Sequence, residues 1–154
     1  MPAIGKATAV AGGHEPQVRL LKFAFALGAV VDLLAMAPML WPPLARLMWG
    51  LDDASGAYGF AMGYGAALML GWTALLAWAW RRPLERRFVA ALTVLVIWGF
   101  VFTEALAVLG GTLAPARALP TWAMQAALLA LFAVAYHDPR WLRSVMSQGG
   151  WHVR

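Results

Sequence analysis

The sequence predicts an all-α integral membrane protein, a four-helix transmembrane bundle with both termini on the cytoplasmic side. Three observations carry this. First, 62% of the 154 residues are hydrophobic, only 12% are charged, and mean hydropathy is +0.68. A soluble domain carries about 25% charged residues, so this chain has half the charge that a water-facing surface needs. Second, four continuous apolar windows approach the ~20 residues with which a helix crosses ~30 Å of hydrocarbon. Third, ten of the twelve Lys and Arg residues fall on one side of the topology those windows imply. Composition therefore excludes a soluble enzyme, a nucleic-acid-binding domain and a disordered tail, and the length suits one domain.

The first window covers residues 23–41, follows a polar tail at residues 1–18, and holds one charge, Asp32. Trp41, Pro42 and Pro43 end it, and residues 43–49 read as a short amphipathic helix on the outer surface. The basic flank of Arg19 and Lys22, with Ala35 and Ala37, imitates a signal peptide. Asp32 inside the apolar stretch and Pro38 after the mock cleavage site argue that this span is retained. The second window, 58–80, has no charge, and Ser55 and Gly56, with Asp52 and Asp53, read as the cap before it. The third, 88–109, contains Glu104 and stops at Gly110 and Gly111. The fourth, 119–136, follows a loop bracketed by Pro115 and Pro120. Asp138 and Pro139 then open a basic interfacial tail, 138–154, whose residues 140–147 have the spacing of a short C-terminal amphipathic helix. Continuous rather than alternating hydrophobicity makes the spans helices and not barrel strands.

Basic residues orient the spans. Lys6, Arg19 and Lys22 precede the first, Arg81, Arg82, Arg86 and Arg87 separate the second and third, and Arg140, Arg143 and Arg154 follow the fourth. Arg46 and Arg117 stand alone on the opposite side. The net charge of +5 is thus an orientation signal and a lipid attraction, not a nucleic-acid footprint. Trp41, Trp49 and Trp122 mark the outer interface, and Trp78, Trp80 and Trp141 the inner one. Trp72 and Trp98 lie deeper, where they pack in the bundle or wall a flat ligand.

Asp32 is the most informative residue. An Asp at the centre of a span costs ~2.5–3.5 kcal/mol to insert, while strong apolar residues return ~0.3–0.6 each. The eight Phe, Leu and Val residues of this span barely offset it, so Asp32 needs a partner or a task. Its helical neighbours are mostly small (Gly28, Ala29, Ala35), which turns it towards the bundle. Counting depth at about 1.5 Å per residue places Asp32, Gln125 and Thr73 in one polar layer, with Gln125 the expected hydrogen-bond partner of Asp32. The same count sets Glu104 level with Tyr64 and Thr121 nearer the outer face, where Arg117 is its expected partner. Gly59, Gly63, Ala67 and Gly71 recur every fourth position as a small-residue face for packing within the bundle or against a second copy or partner subunit.

Cofactor chemistry finds no foothold. With no cysteine there is no disulfide, thiol relay or iron–sulfur ligand. His14, His137 and His152 all lie outside the spans, so no axial haem ligand exists within them. Met36 and Met39 are read as core filler and not as a copper site. No metal site and no cofactor are expected.

The order of features resembles the DoxX-like and related families of small bacterial four-helix inner-membrane proteins. The resemblance rests on Gly28 to Asp32, on the prolines Pro38, Pro42 and Pro43 that end the first span, on the glycine-rich second span, and on the run Arg81, Arg82, Pro83, Leu84, Glu85, Arg86, Arg87. It covers residues 20–136 in layout. It implies a multi-pass protein of the bacterial cytoplasmic membrane and brings no shared chemistry with it.

Three functions fit. One is a structural or accessory protein whose partners are the lipid bilayer and a second copy or membrane subunit, met through the glycine face. Another is a bundle that binds or isomerises a hydrophobic small molecule, with Asp32 or Glu104 as acid and base. The third is a proton-coupled transporter subunit. The sequence favours the first and leans away from an enzyme, because no pair of groups converges on a reaction geometry. An internal cavity lined by both Asp32 and Glu104 is the feature that separates the second from the first.

Overall fold

A computed structural model describes residues 15–51 and 55–137. The described residues form five helices: α1 (Glu15–Leu40), α2 (Pro42–Trp49), α3 (Gly56–Arg81), α4 (Phe88–Leu109) and α5 (Pro115–Tyr136). All but α2 are long and apolar enough to cross a membrane, which makes the chain a multi-pass membrane protein by length and composition. The expected C-terminal amphipathic helix and the whole interfacial tail, residues 138–154, lie outside the described residues, as do Asp52 and Asp53.

Local chemistry sets most boundaries. α1 begins at Glu15, well before the first apolar window, so the polar tail yields its last residues to the helix. The helical pattern of Gln17, Leu21, Ala24, Phe25 and Gly28, all buried, runs through the polar flank that a hydropathy window ends at. Pro38 is accepted in the last turn of α1, and Trp41 leads into α2 with Pro42 at its first position. Gly50 ends α2 with φ of 73°, the left-handed region that favours glycine, and a Cβ there would press on the Arg117 guanidinium. Ser55 caps α3 by accepting the Tyr58 N–H at 3.2 Å, as its position predicts. Pro83 is buried in the 82–87 turn and does not start a helix. α5 starts at Pro115 rather than near 119, and Pro120 lies inside it. The loop prolines thus become one helix start and one interior residue. Pro120 is close enough to the N-terminus that it removes only an early backbone hydrogen bond.

Around the bundle the helices run α3, α1, α5, α4. α1 packs extensively on α3, α5 on α4, and α1 on α5, whereas α4 and α3 barely touch. The ring is therefore open along one seam. Its solid core lies in the half nearest the 82–87 turn, where Leu21 and Phe25 meet Leu76, Val89 and Phe132. Gly28 makes this closure possible, because a Cβ there would stand 2.8 Å from Phe132 Cζ and 3.2 Å from Leu76 Cδ1. The same end carries the cation–aromatic contacts: Arg86 stacks 3.5 Å from the Trp78 ring centre, Lys22 lies 5.2 Å from that of Trp80, and Arg87 lies 5.8 Å from that of Tyr136. Arg86 also donates to the Trp78 carbonyl. The opposite end is roofed by α2, tied to α5 where Arg117 Nη1 donates to the Arg46 carbonyl at 2.9 Å.

The small-residue face points away from all of this. At about 100° per residue, Gly65, Met69, Trp72, Leu76 and Ala79 form one stripe of α3 and Gly59, Gly63, Ala67 and Gly71 form the opposite one. The first stripe turns inward. The second is exposed, and a Cβ added at Gly59, Gly63 or Gly71 would meet nothing within 4 Å. Among the described residues this face packs against no helix.

Candidate functional site

The half of the bundle under α2 holds voids, not core. A central cavity of about 120 Å³ is lined by Asp32 and Ala35 of α1, Met69 of α3, Ile97, Phe100 and Glu104 of α4, Thr121, Gln125 and Leu128 of α5, and Trp49 of the roof, among others. Both membrane carboxylates thus face one space. Two grooves of about 330 and 320 Å³ flank it. The first runs along the α3–α4 seam, between Gly65, Leu68, Met69 and Trp72 on one side and Val96 and Phe100 on the other, with Asp32 and Met39 at its floor. The second lies under the roof between Trp49, Phe100, Glu104 and Thr121. Phe100 lines all three spaces.

The polar groups are unevenly satisfied. Gln125 Nε2 donates to Glu104 Oε1 at 3.0 Å, and Gln125 is only 5% exposed. This corrects both expected pairings. Gln125 bonds Glu104 and not Asp32, and Arg117 serves the Arg46 carbonyl and not Glu104. The depth count separated Glu104 from Gln125 because it took the span ends as level and the helices as untilted. Both side chains are also long enough to meet between turns. The Trp122 indole N–H lies towards the Glu104 carboxylate without completing a hydrogen bond. Asp32 Oδ2, Glu104 Oε2 and Gln125 Oε1 are buried and have no hydrogen-bond partner among the described residues. A buried acceptor left unpaired costs about 1–3 kcal/mol. Three of them line one cavity.

The remaining predicted residues divide. Trp72 is half-buried and walls the seam groove, and its indole N–H is also unpaired. Thr73 is half-buried with an unpaired hydroxyl but lines none of the three spaces. Tyr64 is 65% exposed and packs on Phe60 at 5.3 Å between ring centres, so it leaves the Glu104 layer. Trp98 is 57% exposed on the outer surface. Sequence reasoning missed Phe100, Met69 and the roof contribution of Trp49. Phe100 stands four residues before Glu104, on the same helical face, and that spacing was signal enough.

Neither family models, curated proteins nor solved structures gave a match to this chain. Among the described residues no group of three or more His, Asp or Glu is placed to hold a metal ion. The arrangement is an apolar space with aromatic and methionine walls and a few convergent polar groups, the composition typical of small-molecule sites. The α3–α4 seam connects it to the surface that faces lipid, where Leu68 is 72% exposed at the rim.

Proposed function

We propose that this chain is a multi-pass membrane protein that binds an amphiphilic small molecule inside its bundle. The molecule is admitted from the bilayer through the α3–α4 seam. The observation that carries this is the single cavity lined by Asp32, Glu104 and Gln125. A solid core would have favoured the accessory role. The seam groove, at about 330 Å³, has the capacity of a small ligand site. In the proposed setting, the bacterial inner membrane, both termini are cytoplasmic. The cluster of Arg and Lys at the 82–87 end supports that placement.

The test is a thermal shift in lipid nanodiscs. Phenylbutanol raises the melting temperature of the wild-type protein saturably. Gly65→Phe, which fills the seam groove beside Met39, abolishes the shift while leaving the unliganded protein folded. Equal, unsaturable shifts in both proteins would contradict the reading.

A second reading rests on a different observation, the empty outward face of Gly59, Gly63, Ala67 and Gly71. Small residues let a neighbouring helix approach closely in lipid, so this face suits a second copy or a partner subunit. Gly63→Leu lowers association measured in nanodiscs or by crosslinking if that reading holds, and changes nothing if the face meets only lipid.

A further inference from the structure

The geometry points to a lipophilic primary amine as the ligand, its ammonium in the central cavity and its apolar tail in the α3–α4 groove. This rests on the reading of the cavity as a ligand site and names the chemistry it selects. Asp32 and Glu104 share the cavity, and among the described residues no Lys, Arg or His lines it or either groove. Four of the described cations are engaged elsewhere: Lys22, Arg86 and Arg87 over aromatic rings at the opposite end, and Arg117 on the Arg46 carbonyl. A membrane-buried acid without a counter-charge within the protein is matched by a ligand that brings one.

A second, independent observation concerns hydrogen bonding. Gln125 is 5% exposed, lines the same cavity, and spends its amide N–H on Glu104, which leaves its carbonyl Oε1 unpaired. With Asp32 Oδ2 and Glu104 Oε2 this makes three unpaired acceptors. An alkylammonium carries three donors and no acceptor. An anionic ligand would face both carboxylates across the cavity, and a quaternary ammonium leaves the acceptors unfilled. The central cavity, about 120 Å³, holds a head group and little more. The adjoining groove offers Leu68, Met69, Trp72, Val96 and Phe100 to a hydrocarbon or aryl tail, and its aromatic rings favour a nearby cation.

The experiment compares phenylbutylamine with phenylbutanol, which has the same tail and a neutral head, by equilibrium dialysis against protein in nanodiscs, with empty nanodiscs as background. At neutral pH the amine is protonated, since alkylamines titrate near the lysine value of about 10.4. The amine binds saturably, one per chain, and at least about tenfold more tightly than the alcohol. Asp32→Asn and Glu104→Gln each remove most of that preference, and both variants elute from gel filtration as the wild type does, which shows that they are folded; a preference kept in full by both variants overturns the amine assignment. Saturable binding of both compounds with equal affinity overturns the amine assignment and leaves the ligand-site reading standing. Saturable binding of neither overturns both.

Discussion

Gln125 on α5 donates to Glu104 on α4 across 3.0 Å, a side-chain hydrogen bond that joins two spanning helices at the cavity. It fixes one wall of the site and holds the Glu104 carboxylate facing inward.

Loss of that bond is measurable. Gln125→Leu leaves Glu104 buried and unpaired, and the expected cost is about 1–3 kcal/mol, read as a lower melting temperature in detergent. Glu104→Gln keeps an acceptor for the Gln125 N–H and costs less. A double-mutant cycle between the two positions isolates the coupling.

Asp32 behaves in the opposite way. Its Oδ2 has no partner among the described residues, so removing the carboxylate orphans no group described there. Replacing a mid-span Asp by Leu favours insertion by roughly 3 kcal/mol. Asp32→Leu is therefore expected to melt at or above the wild-type temperature while losing the amine preference, a stability gained at the expense of the site. A melting temperature well below wild type would show that Asp32 has a structural partner after all.

Two glycines separate packing inside the chain from contacts outside it. A Cβ at Gly28 collides with Phe132, and one at Gly63 meets open space. Gly28→Leu should destabilise the bundle by about 1–3 kcal/mol through overpacking. Gly63→Leu and Leu68→Ala, both on the exposed surface, leave the melting of the single chain unchanged, so any effect of Gly63→Leu appears in association alone.

Topology is tested by reporter fusions at residue 154 and in the 82–87 turn. Both positions should report the cytoplasmic side, because the basic residues of the chain gather there. A fusion at residue 154 that is active on the periplasmic side contradicts this orientation.

The spans were legible because hydropathy and length suffice to place them. α4 covers the third window with the same bounds, and the other three differ only where helix continues through polar or proline-containing flanks that hydropathy does not score. The inward face of α3 was legible too, in the alternating spacing of three and four residues through Gly65, Met69, Trp72, Leu76 and Ala79. The four-residue glycine repeat on the opposite face drew attention away from it. Pairings across the bundle were not legible. Which carboxylate meets Gln125 depends on helix tilt and on the relative height of the span ends, and neither is written in the residue spacing. The open seam was hidden for the same reason, since it arises where α3 and α4 diverge from the short 82–87 turn and not from any residue type.

Photolabelling with a diazirine derivative of phenylbutanol in nanodiscs tests the central claim, a ligand site inside the bundle, most directly. Peptide mapping should place the protein adducts on residues 31–39, 65–72 and 96–104, the segments that line the cavity and the seam groove, and excess unlabelled phenylbutanol should suppress them. Adducts spread over the exposed residues Phe23, Phe60, Leu95 and Leu109, with no suppression by competitor, would mean that the compound samples only the lipid-facing surface and that the cavity takes no ligand.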